Sequence, residues 1–473
     1  MYFPPKKHRL WTKSDGFSPI WPKKGAFVHT TSDKNRRKAF CQTKKGHNFA
    51  AEIHIMNKIM KHFFISVILF CTMVLMTACS NDDTPATRGG DAAHAKTVLI
   101  YMAGKNNLSS ALDKNLRDIK EGSKHIGEND NLLVFVRKEN GLGEPWLARI
   151  KNGEITDSLS LSKMGITSSD GQNRASDPAV MEGVLHYAFN HYPAMNGDYG
   201  LVLWGHCTGW LKEREVEPQN SRRAYGVDAG NYNNSSDKRW INITTMANIL
   251  KDLPHMKFIM GDCCNLMCLE NLYELRHTCD YIIGSPAEIP YLGAPYAEIV
   301  PDFFADGKFY SNIISKYYKN TMGNLPLTVV KTNEMDHLAQ ATRQTLQAVK
   351  DKIGNGYADM TGLIHYNYTG SNGDFSPVYN IFYDAGDFIR TYAPQDVYQQ
   401  WRQALDRAVA DRRMATSWKT VKSWDRYYTD FTITEDKFHG VSMFISQDPS
   451  RGNYDHYNED IKQMAWYATV GGI

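Results

Sequence analysis

The sequence predicts an α/β protein: a mostly parallel sheet flanked by helices, followed by a smaller α+β region at the C-terminal end. Three observations predict it. Apolar runs of strand length recur from residue 97 to residue 331. Segments with helical periodicity separate most of them, the alternation expected of a parallel sheet with crossover helices. The pattern then breaks near residues 325–335, and the remainder is rich in Tyr and Asp. Hydrophobic residues make up 42% and aromatic residues 12% of 473 residues, which suits a globular chain with a large core.

Thr97-Val-Leu-Ile-Tyr-Met102 reads as a strand and Ala103–Leu108 as the loop after it. Ser109 or Ser110 is the expected cap of a helix over Ala111–Gly122. Asn131–Val136 is the second strand, and Trp146–Ile150 with Glu154–Leu159 form a hairpin. Ser176-Asp-Pro178 opens a helix that runs to Phe189. Tyr199-Gly-Leu-Val-Leu-Trp204 is a strand ending at Gly205-His206. A polar segment follows, then a helix over Thr244–Leu253. Lys257–Met260 is a buried strand, leading through a tight turn with two adjacent cysteines into a helix. Tyr281–Ser285 is a short strand, and Leu327–Lys331 is expected to be the last strand of the sheet. A long amphipathic helix begins near Glu334, and Gly440–Ile445 is a strand of the C-terminal region.

The net charge of +3 averages unlike segments. Residues 1–59 hold 13 Lys/Arg against 3 Asp/Glu, a net of +10, and the other 414 hold 41 against 48, a net of −7. The basic residues of the first segment are scattered among Pro, Trp and Gly without helical phase, so no nucleic-acid partner is expected. Met60-Lys-His-Phe-Phe-Ile-Ser-Val-Ile-Leu-Phe-Cys-Thr-Met-Val-Leu-Met-Thr-Ala-Cys79 has a positive start, an apolar run and small residues before a cysteine, the plan of a secretory signal. Met76-Thr-Ala-Cys79 resembles a bacterial lipobox, which implies lipid on Cys79 and a membrane anchor.

The expected organisation is therefore an upstream extension at 1–59, with translation starting at Met56 or Met60. A signal peptide follows at 60–78 and a polar linker at 79–95. The sheet domain occupies 96–332 and the α+β region 333–473. The acidic residues after Cys79 resemble signals that carry lipoproteins to the outer membrane of some bacteria, facing outward. Once Cys41, Cys71 and Cys79 are set aside, five cysteines remain, at 207, 263, 264, 268 and 279. An odd number leaves at least one free thiol, and the clustering of four within 17 residues argues against a disulfide scaffold.

A histidine and a thiol, each just past the end of a parallel strand, have the placement a cysteine hydrolase needs. His206 supplies the imidazole, and Cys263 or Cys264 the thiol. Taken singly, such a histidine is more often structural and such cysteines more often small buried hydrophobes. A zinc site from His206, Cys263, Cys264 and Cys268 lacks the second cysteine pair that structural zinc favours.

Leu203-Trp-Gly-His-Cys-Thr-Gly-Trp210 is similar to the Leu-Trp-x-His-Gly-x-Gly-Trp pattern of the clostripain family of cysteine peptidases, in the caspase-like clan. Asp262-Cys-Cys-Asn-Leu-Met-Cys-Leu-Glu270 resembles the family's nucleophile segment, and Tyr273-Glu-Leu275 fixes its register. Tyr101-Met-Ala-Gly-Lys-Asn-Asn-Leu108 matches Tyr-Met-Ala-Gly-Asp-Asn-x-Leu, with Lys105 in place of an Asp. Tyr383–Phe388 and Gly440–Phe444 also look like family segments, so the resemblance spans about residues 96 to 470.

The resemblance implies a caspase-like sheet and a cysteine endopeptidase acting on protein or peptide substrates. Cys264 would be the nucleophile and His206 its partner, with the backbone N–H groups of Cys207 and Cys264 as oxyanion hole. No third catalytic residue is demanded, and no cofactor is required. Some members need calcium, which makes it the one candidate ion, although no EF-hand-type loop is present. Members also mature by cleavage between the His and Cys segments. Arg222 and Arg223, in the polar stretch 212–239, are the candidate sites of such self-cleavage.

Family members that cut after Arg or Lys place acids in the pocket for that side chain (the S1 pocket). Asp262 persists, but Leu292 stands where the second aspartate is expected, and Glu288 is the other acid of that loop. Basic specificity is thus in question. Cys207 replaces a glycine beside the histidine, where a side chain is expected to crowd the oxyanion site or forbid a positive φ. Cys207, Lys105 and Leu292 together support a rival expectation: a weak or inactive relative serving as a surface binding or scaffold lipoprotein.

Overall fold

All eight residues of β1 (Thr97–Gly104) are buried, because neighbours pair with both its edges and helices cover both its faces. The computed structural model describes residues 95–138, 143–212, 224–230, 238–354, 356–366, 380–418, 431–451 and 454–472. The N-terminal segments with Cys79, and the candidate cleavage sites Arg222 and Arg223, lie outside the described residues.

After β1 come α1 (Ser109–Gly122), β2 (Asn131–Lys138), the hairpin β3 (Trp146–Lys151) and β4 (Glu154–Ser160), and α2 (Pro178–His191). Next are β5 (Tyr199–Gly205), the small pair β6 (Tyr225–Asp228) and β7 (Arg239–Ile241), and α3 (Ile243–Lys251). β8 (Met256–Asp262), α4 (Leu269–Glu274), β9 (Cys279–Gly284), α5 (Tyr296–Phe303), α6 (Phe309–Asn320) and β10 (Leu327–Lys331) follow. The chain ends through α7 (Met335–Ile353), β11 (Tyr383–Asp384), α8 (Ala385–Tyr392), α9 (Gln395–Ala408), β12 (Val409–Arg413), β13 (Ser442–Met443), α10 (Asp455–Asp460) and α11 (Ala465–Val470).

Nine strands form one sheet in the order β12-β10-β9-β8-β5-β1-β2-β3-β4. The middle five are parallel, and both flanks are antiparallel. Strand alternation divides the core by face. Leu99, Tyr101, Leu133, Phe135, Leu201, Leu203 and Ile259 join one cluster with α2, α3, α7 and the C-terminal helices. Val98, Ile100, Leu132, Val134, Val202, Phe258 and Met260 join the other with α1, α5 and α6.

The chain leaves β1 toward β2 on one side and returns as β5 on the other. In open α/β sheets such a reversal opens a crevice at the carboxyl ends of the strands, where ligands bind. Everything described below as the site projects from those ends.

Three expectations need correction. Leu327–Lys331 is not the last strand of the sheet: Val409–Arg413 pairs antiparallel beyond it. That edge strand is half-buried throughout and carries Asp411, Arg412 and Arg413, so it has no apolar signature. Neither Ser109 nor Ser110 caps α1, since both lie inside it and its N-cap is Leu108, with no side-chain cap bond. The segment Gly440–Ile445 pairs as strand only over Ser442–Met443. The cap at the next helix is as expected: Asp177 accepts from the N–H groups of Ala179 and Val180. Among the described residues, no helix is long and apolar enough to cross a membrane.

Candidate active site

β5 stops because Gly205 adopts φ 143°, and a Cβ there would stand 3.1 Å from the carbonyl oxygen of Ala103 on β1. The chain turns out of the sheet and presents His206, half-buried, above the crevice. The His206 carbonyl accepts from the Gly226 N–H at 2.8 Å. The Tyr225 hydroxyl reaches the carbonyls of Tyr101 and Trp204 at 2.9 and 3.0 Å, tying the ends of β1 and β5 together. Trp240 flanks the imidazole at 6.3 Å between ring centroids, and Nε2 lies 2.7 Å from Asn107 Oδ1.

β8 runs parallel to β5, with Asp262 opposite Trp204. Two residues beyond each member of that pair stand Cys264 and His206, so the register alone brings the two loops side by side. Cys263 turns inward and is 1% exposed, whereas Cys264 is half-buried at the crevice. The Ile289 N–H donates to Cys264 Sγ at 3.3 Å, placing loop 285–295 against the thiol. Asn265 takes φ 54° and donates its N–H to the Ala287 carbonyl at 3.0 Å, which turns the chain away from the sheet. The expected helix therefore begins only at Leu269, with Cys268 as its buried N-cap.

The side chain of Cys207 enters the core, 4% exposed. Its thiol is hydrogen-bonded to that of Cys263, and both are free cysteines. That bond, with the N–H groups of Gly209 and Thr208, pulls the Cys207 thiol below its ordinary range. The same bond and burial push Cys263 well up. Cys207 is not among the residues with positive φ. A side chain is accommodated because it points inward and the backbone needs no glycine there. Lys105 is buried in the loop after β1.

Asp262 and loop 285–295 do meet, but the carboxylate is 4% exposed. Its Oδ2 accepts from the Ala294 N–H at 3.0 Å and the Tyr296 hydroxyl at 2.9 Å, and its Oδ1 from the Tyr317 hydroxyl at 2.8 Å. Burial raises its pKa, and these three donors oppose the rise. Leu292 is 52% exposed at the tip of the loop, beside Tyr291 at 49%. The Asn115 amide holds the Leu292 carbonyl at 3.0 Å. Glu288 is half-buried just before Ile289.

Behind the thiol, Glu270 on α4 is fully buried and accepts from the Phe444 N–H at 2.7 Å. Burial drives its carboxyl up to about 7, against the pull of that N–H. Phe444 packs edge-on against Trp210 with centroids 5.0 Å apart. The C-terminal region thereby links the helix after Cys264 to the loop after His206.

Of the residues singled out in the sequence, His206, Cys264 and Asp262 come together at the carboxyl ends of β5 and β8, and Glu270, named there only as part of a family segment, lies buried behind them. Sequence reasoning gave no role to Asn107, Trp240, Ile289, Tyr296 or Tyr317. Asn107 lies within the Tyr101–Leu108 segment, and its place after β1 is the signal that points to it. Tyr317 sits 55 positions from Asp262, and nothing local links them. Among the described residues, no group of three or more His, Cys, Asp or Glu is arranged to hold a metal ion.

A family model, that of the clostripain family, matches residues 100–470. Two solved structures are similar over most of the chain. One is a secreted C11 cysteine protease from Bacteroides thetaiotaomicron in complex with an irreversible peptide inhibitor. It is 26% identical, with a TM-score of 0.61, over 80% of this chain and 99% of that one. The other is an inactive zymogen C11 protease from Parabacteroides distasonis, 27% identical, with a TM-score of 0.62, over 79% and 97%. No curated protein matches the chain.

Proposed function

The chain belongs to the clostripain family and is a cysteine-type peptidase, and from that premise we propose that Cys264 and His206 are its catalytic pair. The observation that carries this is the register of β5 and β8, which sets the two residues at matching positions beyond adjacent parallel strands.

Cys264, as thiolate, attacks the scissile carbonyl. The oxyanion is held by the backbone N–H groups of Cys207 and Cys264. The bridge between Cys207 and Tyr225 supports this role: its bonds run from Gly226 N to His206 O and from Thr208 N to Ala224 O, which leaves the Cys207 N–H outside them. The imidazolium of His206 gives its proton to the leaving amine, and a thioester remains on Cys264. Water, deprotonated by His206, then releases the acyl product. Thiol, imidazole and backbone suffice, with no cofactor. The rival reading as a binding protein loses its first support, because the Cys207 side chain does not enter the crevice.

We further propose that selection for Arg or Lys at P1 is weak. The Asp262 oxygens already accept three hydrogen bonds, and Leu292 brings an exposed apolar group where a second acid would be needed. A buried site discriminates strongly only when its polar groups are left unpaired by the wrong ligand. Cleavage of a peptide library positional at P1 tests both claims. The expected result is cleavage after uncharged residues, with basic P1 gaining about 10-fold or more in Leu292→Asp relative to wild type. A wild-type preference for Arg and Lys would sink the specificity claim, and no cleavage by any peptide would sink the activity.

Self-cleavage at Arg222 or Arg223, export through residues 60–78 and lipid on Cys79 complete the proposal. A structural relative is named as a zymogen, and another as secreted, which supports the first two. One preparation from cells tests the processing and the anchor. Wild type is expected as two fragments on a denaturing gel and Cys264→Ala as one. Cys79→Ser is expected to leave the membrane fraction. Identical bands refute processing, and unchanged partitioning refutes the anchor.

A further inference from the structure

Asn107 occupies the position that the family motif leaves variable, yet the fold holds it firmly. The preceding residue, Asn106, is buried. Its amide donates to the carbonyls of Ala103 and Val227 at 2.9 and 2.8 Å, and its Oδ1 accepts from the Leu108 N–H at 2.9 Å. The Asn106 carbonyl accepts from the Ser109 N–H at 3.2 Å, joining the turn to the start of α1. Asn107 is thus suspended between a buried turn and a helix, in the loop after β1, the strand that pairs Ala103 with Gly205 of β5. Its exposed side chain leans over the crevice and sets Oδ1 at 2.7 Å from His206 Nε2.

An amide oxygen only accepts, so Nε2 must carry the proton. That fixes the tautomer: Nδ1 is left as the nitrogen that takes and returns a proton. When the ring is charged, the Nε2–H bond becomes charge-assisted and stronger. Trp240 lies beside the ring, with centroids 6.3 Å apart. A cysteine, a histidine and an asparagine in these roles recur on unrelated folds and are recognised by geometry rather than sequence position.

We propose that Asn107 is a positioning residue of this enzyme, orienting His206 and stabilising its imidazolium. The proposal rests on His206 and Cys264 being the catalytic pair. The sign of its effect on pH dependence follows. Losing the acceptor at Nε2 destabilises the imidazolium, so the alkaline limb of the rate profile moves to lower pH. The thiolate then has a weaker cationic partner, so the acid limb moves to higher pH, and the bell narrows from both sides. A carboxylate at the same position stabilises the imidazolium more and moves the alkaline limb up.

The test is the pH profile of kcat/KM for the full chain as wild type, Asn107→Ala and Asn107→Asp, with thermal unfolding measured for each. In Asn107→Ala we expect kcat to fall about 10- to 100-fold with KM little changed, and the bell to narrow. Asn107→Asp should recover most of the rate and move the alkaline limb above that of wild type. Wild-type rate and limbs in Asn107→Ala would overturn the proposal. So would a loss of rate with unmoved limbs, or a loss that Asn107→Asp does not repair. Cys264→Ala and His206→Ala, run alongside, separate the two levels: if either keeps wild-type activity, it is the pair itself that fails.

Discussion

Replacing Cys264 with alanine is expected to lower kcat for peptide hydrolysis by about four to six orders of magnitude, and His206→Ala to do nearly the same. The reason is that, in the proposed mechanism, the two act as one unit. The thiol without its imidazole is mostly protonated at neutral pH, since an ordinary cysteine has a pKa near 8.5. The imidazole without the thiol has no nucleophile to serve. The double variant is therefore expected to be hardly worse than either single one. Residual rates above water come from the oxyanion donors and from substrate binding. Neither change should disturb folding, because both side chains are half-buried at the crevice rather than in the core. Labelling with a thiol-reactive acyl probe gives the second readout: Cys264 should label rapidly in wild type and slowly in His206→Ala. Strictly multiplicative losses in the double variant would mean that the two residues act independently.

A second large effect concerns stability. Glu270 is fully buried, and its carboxyl titrates at about 7 rather than at 4.5. The sign is set by proton counting. Between pH 4.5 and 7 the folded state holds the proton while the unfolded chain has lost it, so stability falls as pH rises through that window. Above about pH 7 both states are ionised and the loss is complete. Glutamine keeps an oxygen for the Phe444 N–H but cannot ionise. The stability of Glu270→Gln relative to wild type should therefore rise by about 2–3 kcal/mol between pH 5 and pH 8. Urea unfolding of both proteins at the two pH values measures it. A difference that does not change with pH would refute the account. The same bond ties the C-terminal segment to the helix after Cys264.

Much of the fold was legible because a parallel sheet announces itself locally. Strands such as Thr97–Met102 and Tyr199–Trp204 are buried on both sides and carry the apolar runs that burial demands. Val409–Arg413 was illegible for the opposite reason: an edge strand has no such need, and its half-buried charges are satisfied by Asp411, Ser315 and the His439 carbonyl. The Ser109 and Ser110 caps failed because Asn106 organises the loop before α1, its Oδ1 accepting the Leu108 N–H, and the helix already begins at Ser109.

Within the site, the sequence by itself determined that a histidine and a cysteine stand at the ends of two strands. Local apolar pattern and glycine placement suffice for that. The family resemblance implies Cys264 over Cys263 through the Tyr273-Glu-Leu275 register, and the fold buries Cys263 while leaving Cys264 half-buried at the crevice. The tertiary structure alone decided what surrounds them. Asn107 reaches His206 only because β1 lies beside β5. Asp262 is closed off by Tyr296 and Tyr317 only because α5 and α6 pack beneath β8. Cys207 is harmless to the crevice only because its thiol finds Cys263 across adjacent strand ends. Each of these is a contact between residues far apart in the chain. No local propensity encodes such contacts, and the sheet order that creates them is fixed by the packing of the whole core.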